Sequence, residues 1–269
     1  MLGSSRESLN ALQNQLVSRS GDAEFSSAAA DLLNASALLA GDKSLRNAIA
    51  DAGQPDASRQ QLVRDLFGSR VNALALDVLV GVAGSRWSDA EDLAQALESL
   101  GAQVIFADAE KQNQLNRIEE ELFLFGRAVD ANPELQMALT NPALSDAAKS
   151  GVVRDVLAGR AAAGTEQLLV HTSANLRGRR VDVAIKSLSE LAAKQRDRIV
   201  ADVRVAIALS SDQATRLANV LGRIAGRQVS LNIVVDPSII GGVSVRLGDD
   251  VIDGSTRTRL EQARRIVVS

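Results

Sequence analysis

Four short segments carry side chains that could take part in chemistry, and the first is Gly41-Asp42-Lys43-Ser44. It is the nearest approach to a phosphate-binding loop, which needs Gly-x-x-x-x-Gly-Lys-Ser/Thr on a strand-to-helix turn so that backbone N–H groups cradle the phosphates. Here the order of residues differs, and no glycine stands upstream at the required spacing. The segment therefore does not predict nucleotide binding.

The second and third segments are His171 and the acidic group Asp249, Asp250 and Asp253. A lone imidazole can act as a general base, but the chain has no cysteine and no nucleophile motif, so we interpret His171 as structural. A calcium loop needs five or more oxygens at fixed spacing, whereas a hairpin turn and a helix cap account for all three aspartates. We predict no catalytic residue, no cofactor-binding residue, no metal ligand and no cofactor.

The fourth segment is the basic cluster Arg177-Gly178-Arg179-Arg180. Such a cluster can bind a phosphate backbone, or it can form a loop between helices that pairs with carboxylates of this chain or of a partner. No aromatic residues are interleaved and the net charge is −3, which favours the second interpretation. Glu119-Glu120-Glu121 is interpreted as a solvated helix face, and Trp87 as a buried or interface anchor.

The composition favours packed helices. Apolar residues make up 46% of the 269 residues and aromatic residues only 2%, so the core must come from Leu, Val, Ile and Ala. The start of the chain lacks the apolar run of a secretory signal. The most apolar window, 73–83, is interrupted by Asp77 and is far shorter than the roughly 20 residues that span a bilayer. We therefore expect no direct membrane insertion.

The chain contains one helical segment twice, at an offset of 90 positions that becomes 91 after one inserted residue. Val63-Arg64-Asp65 aligns with Val153-Arg154-Asp155, and Asp31-Leu32 aligns with Glu121-Leu122. Chance similarity between amphipathic helices would not hold a register over this length, and solenoid units are usually shorter, about 20–50 residues, in three or more copies. The sequence therefore predicts a duplicated helical domain.

Each copy is predicted to be a bundle of antiparallel helices joined by short loops. Apolar spacing places helices at 24–40, 57–67, 71–83 and 89–100 in the first copy, with a short turn at 45–51, and at 114–130, 133–140, 146–157, 165–174 and 181–198 in the second. The helix from Asp89 is expected to continue towards Ala109 and to pass directly into the second copy.

From Ile199 the period of the apolar residues changes, which predicts a small α+β domain. A strand is predicted where apolar and polar residues alternate, at Val203, Val205, Ile207 and Leu209. A helix is predicted to begin at Ser211-Asp212 and to end at Gly226. Its apolar face would consist of Leu217, Val220, Leu221 and Ile224.

The last forty residues predict a further strand, a hairpin and a helix. The strand that carries Leu231, Ile233 and Val235 is expected to stop at 236–237, because proline has no N–H for a ladder. Gly241-Gly242 allows backbone angles closed to other residues. A hairpin then begins at Val243, turns at 248–250 and continues at 251–252, and 253–255 is expected to cap a final helix.

This order of residues resembles the C-terminal signature of the delta subunit of F-type ATP synthase, a family that includes the mitochondrial oligomycin-sensitivity-conferring protein. The resemblance rests on the runs Asp-Pro-Ser-Ile-Ile-Gly-Gly-Val at 236–243, Arg-Leu-Gly-Asp at 246–249 and Val-Ile-Asp-Gly-Ser-x-x-x-Arg-Leu at 251–260. Residues 102–269 are similar to an ordinary delta subunit. The residues before them form an extra copy, and 85–88 and 122–127 are similar to the longer actinobacterial form.

The resemblance implies a mainly α fold with two related helical bundles at 1–108 and 109–199, followed by a small α+β domain at 200–269. It implies a non-catalytic subunit of the peripheral stalk, or stator, of a proton-translocating ATP synthase. In the family, the helical domain binds N-terminal helices of the alpha subunits and the C-terminal domain binds the b subunits. Such a subunit would lie at the cytoplasmic face of the cell membrane as a peripheral protein, attached through its partners.

A second class of function is a cytosolic helical adaptor or a nucleic-acid accessory protein that uses the basic loop at 177–180. A co-purification experiment separates the two classes, because one predicts alpha, beta, gamma and b subunits and the other ribonucleoprotein.

We expect the isolated chain neither to hydrolyse ATP nor to bind it specifically, because it has no phosphate loop, metal cluster or nucleophile motif. A phosphate-release assay and a calorimetric titration with ATP check this expectation. A one-to-one complex of micromolar affinity would contradict it.

Overall fold

The computed structural model describes residues 1, 3–20, 25–196, 199–225, 229–236, 241–247 and 250–253. The chain divides into two compact units, Met1–Leu16 with Ser20–Arg196 and Val17–Arg19 with Asp197–Ser269. The first unit is helical and the second contains the sheet, so the protein is mainly α, as predicted. Among the described residues, no helix combines the length and the apolar character that crossing a membrane requires.

The described part of the first unit contains eleven helices. They are α1 Ser4–Ser18, α2 Ala28–Gly41, α3 Lys43–Ala50, α4 Asp56–Phe67, α5 Ala73–Gly84, α6 Ala90–Lys111, α7 Leu115–Ala131, α8 Pro133–Thr140, α9 Asp146–Leu157, α10 Ala163–Ala174 and α11 Val181–Arg196. Helix α1 was not predicted, although Leu9, Leu12 and Leu16 stand at helical spacing and the last two are buried.

Local capping explains where the sequence prediction was inaccurate. The segment predicted as a short turn at 45–51 is the helix α3, because the Asp42 carboxylate accepts a hydrogen bond from the Leu45 N–H at 2.9 Å. Helix α5 begins later than predicted because the Asn72 side chain caps it. Trp87 is a buried anchor, and its indole N–H donates to the Val82 carbonyl at 2.9 Å.

Helix α6 belongs to the cores of both bundles. It runs without a break through the proposed boundary at 108/109, and every residue from Leu100 to Ala107 is buried. Helix α6 has two counterparts in the repeat. As the last helix of the first copy it corresponds to α11, at an offset of 91 residues, and as the first helix of the second copy it corresponds to α1, at an offset of 90 residues. One continuous apolar core therefore runs through both copies.

The two copies repeat the same helix contacts. Helix α2 packs on α6 as α7 packs on α11, and α4 packs on α5 as α9 packs on α10. The tripeptides Val63-Arg64-Asp65 and Val153-Arg154-Asp155 lie on the equivalent helices α4 and α9. A polar contact is repeated as well, because Asp31 accepts from the Asn72 N–H at 2.8 Å and Glu121 from the Ala162 N–H at 3.0 Å. This repetition supports the duplication that the offset predicted.

The second unit has a four-stranded sheet of order β2-β1-β3-β4. Its elements are β1 Ile199–Val205, α12 Ser211–Ala225, β2 Val229–Val235, β3 Val243–Leu247 and β4 Asp250–Asp253. Strand β1 pairs parallel with β2 and antiparallel with β3, and β3 pairs antiparallel with β4. The crossover helix α12 packs on β2, and an apolar core lies between them.

Most predictions for this unit are confirmed, with two corrections. Gly242 has a φ of +86°, a backbone angle that favours glycine. The strand predicted at 203–209 lies too far along the chain, because β1 begins at Ile199 and ends at Val205, where its pairing with β2 and β3 also ends. Ile207 is 79% exposed, and Ser210 and Gln213 cap α12 reciprocally. The strand β2 ends before Asp236 as predicted, but Val235 is half exposed. Residues 226, 237–240, 248–249 and 254–269 of the predictions lie outside the described residues.

The close contact between α2 and α6 predicts that a side chain larger than that of glycine does not fit at position 101. A Cβ atom there would lie 2.9 Å from the Leu33 side chain, whereas a Cβ at Gly151 in α9 meets nothing within 4 Å. Gly101→Leu should lower the free energy of unfolding by about 2–3 kcal/mol through overpacking. Gly151→Leu should leave it unchanged or raise it by about 0.5–1 kcal/mol through helix propensity. Urea unfolding measures both, and equal effects of the two variants would contradict the size limit.

Candidate partner-binding surfaces

The basic cluster at 177–180 forms the loop between α10 and α11 and pairs with carboxylates of this chain. Glu98, buried on α6, accepts hydrogen bonds from Arg177 and from Arg179, whose Nη2 lies 3.0 Å from both carboxylate oxygens. Arg180 pairs with Asp182 at 3.0 Å. All three guanidinium groups thus pair within the chain, as the carboxylate-pairing interpretation predicted. Arg177 and Arg179 are engaged by the buried Glu98, whereas Arg180 remains 70% exposed.

This ion cluster has a structural role. Burial lowers the pKa of Arg177 to about 10, and the positive charge of Arg179 acts in the same direction. Burial also lowers the pKa of Arg179. Both groups remain charged at neutral pH, and a buried charge needs a partner. Glu98 therefore fixes the α10–α11 loop onto the shared helix α6.

His171 lies on α10 and is largely buried, in agreement with a structural role. Its Nε2 atom has no hydrogen-bond partner among the described residues. Burial, together with the charge of Arg179, lowers the pKa of His171 to about 4. The imidazole is therefore neutral near pH 7.

One glutamate of the acidic run 119–121 has a structural role. Glu121 was expected on a solvated face, but it caps the N-terminus of α10 through Ala162 and the Thr165 hydroxyl. Burial raises its pKa, and these hydrogen bonds, with the nearby Arg117, outweigh that effect and lower it overall. Sequence reasoning missed this role, although Asp31 at the equivalent position of the repeat was a usable signal.

No metal site is found in the part of the chain that the structure describes, where no three or more His, Asp or Glu side chains group together. Asp249 lies outside the described residues, and Asp250 and Asp253 bound the strand β4. The Gly41–Ser44 segment joins two helices, which is not the strand-to-helix setting of a phosphate loop.

A groove with a volume of about 530 Å³ lies between α2 of the first copy and α10 of the second. Six of its twelve lining residues are apolar, among them Leu33 and Ala37 of α2 and Val170 and Ala174 of α10, and the other six, among them His171, are polar or charged. The ion pair between Arg154 and Glu166, at 3.0 Å, also borders it. A concave surface that combines apolar and polar side chains suits the apolar face of an amphipathic partner helix together with its polar edge. The sequence did not reveal this groove, because it forms between helices that are far apart in the chain.

A second apolar surface lies on α12. Leu217 and Leu221 pack towards the sheet, whereas Val220 is 42% and Ile224 64% exposed. Only two of the four residues of the predicted apolar face therefore pack against the sheet. Exposed apolar residues one helical turn apart are typical of a helix that meets another helix.

The lowered pKa of His171 predicts a pH dependence of stability. As the pH falls, the unfolded imidazole takes up a proton near its ordinary pKa of 6.5, before the folded imidazole does near 4, so stability is lost between these values. From about pH 7 to about pH 5, the wild-type chain should lose about 2 kcal/mol more unfolding free energy than His171→Gln. Urea unfolding at both pH values checks this, and parallel losses in the two proteins would contradict it.

Comparison with known proteins identifies the family. The family model described as "ATP synthase delta (OSCP) subunit" matches residues 97–267, which begin inside the shared helix α6. The chain is 40% identical to the ATP synthase subunit delta of Streptomyces avermitilis, over 99% of this chain and 98% of the relative. It is also 40% identical to that of Streptomyces coelicolor, over 100% of this chain and 99% of the relative.

A third relative, the ATP synthase subunit delta of a Parafrankia species, is 40% identical over 88% of this chain and 85% of the relative. The alignments with the two Streptomyces proteins extend over the extra N-terminal copy as well as the part that the family model matches. The chain therefore belongs to the ATP synthase delta (OSCP) subunit family, in the long form found in actinobacteria.

Proposed function

We propose that this chain is a non-catalytic subunit of the peripheral stalk of an F-type ATP synthase, connecting the alpha subunits of the catalytic head to the b subunits. The observation that carries the proposal is the presence of two separate apolar surfaces, one on each compact unit. A connector needs two independent contacts, and linked contacts gain affinity over single ones.

The α2–α10 groove is the proposed site for an N-terminal helix of an alpha subunit. Its small side chains, such as Ala37 and Ala174, let another backbone approach, and the groove has room for several Leu-sized side chains. An amphipathic helix that inserts its apolar face would gain about 1.5–3 kcal/mol for each anchor residue that becomes fully buried. A few such anchors suffice for slow dissociation.

The outer side of α12 is the proposed site for a b subunit. Val220 and Ile224 lie on a helix that is already held by the sheet through Leu221. Because the sheet already fixes α12, this helix loses little further conformational entropy when a partner helix packs along it. This assignment agrees with the family expectation that the C-terminal domain contacts the stalk.

Resistance to rotor torque follows from the shared core. Because α6 is a member of both bundles, no flexible linker separates them. The helical unit can therefore hold the head against rotation, so that torque is converted into conformational work at the catalytic sites of other subunits. In this proposal the subunit lies at the cytoplasmic face of the membrane and is attached through its partners.

The alternative function, a cytosolic adaptor or nucleic-acid accessory protein, depended on the basic loop. Arg177, Arg179 and Arg180 are each paired with a carboxylate of the same chain. We therefore retain the stator function alone.

Two charge substitutions should separate the two contacts in the full-length chain. Ala37→Glu places a carboxylate in the α2–α10 groove and should weaken binding of an alpha N-terminal peptide by about tenfold or more, which is about 1.4 kcal/mol. Ile224→Glu should weaken binding of the cytoplasmic segment of b to a similar extent. Each variant should keep its affinity for the other ligand, and calorimetric titration measures all four combinations.

Asn219→Glu, which adds the same charge to an exposed position on another side of α12, serves as the matched control and should bind b normally. The proposal is wrong if Ile224→Glu leaves binding of b intact and Ala37→Glu abolishes binding of b. It is also wrong if neither variant changes the affinity for either ligand.

A further inference from the structure

The outer face of α7 carries an exposed aromatic residue in a chain that has few. All five phenylalanines lie in the described residues, and Phe25, Phe67, Phe106 and Phe125 are buried. Phe123 is 60% exposed, and the adjacent Leu124 is 56% exposed. Large apolar side chains that stand together in solvent commonly mark an interaction surface.

The internal repeat identifies what this face does in the other copy. Helix α7 is the counterpart of α2. Asp31 accepts a hydrogen bond at the start of α5 and Glu121 accepts one at the start of α10, and this equivalence fixes the alignment of α2 with α7. At the offset of 90 residues, the α7 positions correspond one by one to α2 positions that line the groove towards α10. The α7 residues Glu120, Phe123, Leu124 and Arg127 correspond to Ala30, Leu33, Asn34 and Ala37.

In the first copy this face is only partly covered, because Ala30 and Asn34 are exposed. Leu33 is buried, its side chain lies against Gly101 of α6, and α10 forms the opposite wall of the groove. The apolar residue at the centre of this face, Leu33, thus packs against a neighbouring helix. In the second copy, whose counterpart residue Phe123 is exposed, the described residues contain no further helical bundle after α11.

We propose that the outer face of α7 docks an amphipathic helix of another ATP synthase subunit, at a place distinct from the α2–α10 groove and from α12. The apolar centre, Phe123 and Leu124, requires a Leu- or Ala-rich stripe on the partner. Glu120 and Arg127 are both exposed and stand about two turns, or roughly 10 Å, apart. The partner helix therefore carries a basic residue near Glu120 and an acidic residue near Arg127.

Charge disfavours a second copy of this chain as the occupant. The counterpart of α10 in the first bundle is α5, whose positions equivalent to the α10 groove wall are apolar, glycine or Asp77. That face offers no basic residue to pair with Glu120. In addition, Glu120 and Arg127 replace the alanines that let α2 lie close to a neighbouring helix, so desolvating them without partners would oppose association.

Thiol labelling tests the proposal on the full chain, which contains no cysteine of its own. Phe123→Cys introduces a single thiol on the α7 face. Its rate of reaction with a maleimide should be at least tenfold slower in purified, assembled ATP synthase than in the free chain, and should recover when the stalk is dissociated. An unchanged rate in the assembled complex would overturn the proposal.

The inference rests on the proposed function, and the same preparation distinguishes the two failures. If the wild-type chain does not co-purify with the synthase, the stator function itself fails. If it does co-purify and the introduced thiol stays reactive, only the α7 inference fails. If Phe123→Cys folds with an unchanged unfolding curve but no longer assembles, the α7 face is required for assembly, which supports the inference.

A benzophenone cross-linker attached to the same thiol identifies the occupant. We expect a helical segment of another subunit with the stated pattern of apolar and charged residues. A cross-link to a second copy of this chain, to this chain itself or to a non-helical segment would contradict the proposal. Glu120→Lys combined with Arg127→Glu should weaken assembly about tenfold, whereas Glu120→Asp combined with Arg127→Lys should have little effect.

Discussion

The shared helix α6 is the constraint on which the helical unit depends. It packs against both bundles, so almost none of its surface is available to solvent, and it must be apolar or small on nearly every side. Gly101 is required where α2 comes closest. Glu98 is a buried charge on this helix, and a buried carboxylate is costly without partners. Arg177 and Arg179 satisfy it from the loop of the second copy, so these two arginines of the basic cluster are a consequence of this need.

The parts of the fold that depend on local periodicity were predicted well from the sequence. Offsets of 90 and 91 residues placed equivalent helices correctly, and Gly241-Gly242 and the pattern around it indicated the hairpin of β3 and β4. Helix α1 was missed because the repeat maps it onto α6, a helix already assigned to another role. The end of β1 was placed too late because the apolar alternation continues to Leu209, although the pairing of β1 with its neighbours ends at Val205.

The candidate surfaces were harder to predict, because exposure depends on tertiary packing. A helical wheel assigns Val220 and Ile224 to the same face as Leu221, and only the width of the sheet decides which of them remain outside. The groove between α2 and α10 joins residues from the two copies, so no local pattern encodes it. Glu121 lies in a run of three glutamates that suggests solvation, and its capping role follows from the position of α10.

The sharing of one helix also limits how this architecture can be taken apart. Two bundles of six helices would need twelve helices, but the described helical unit has eleven, because one helix closes the first bundle and opens the second. Excision of the first copy would therefore leave the second with a first helix whose flank towards α2 is apolar. In a chain with a single bundle, that flank, near the positions of Leu97 and Gly101, would need either polar side chains or a partner that covers it. Gain or loss of a copy is thus coupled to a change in what covers one side of one helix.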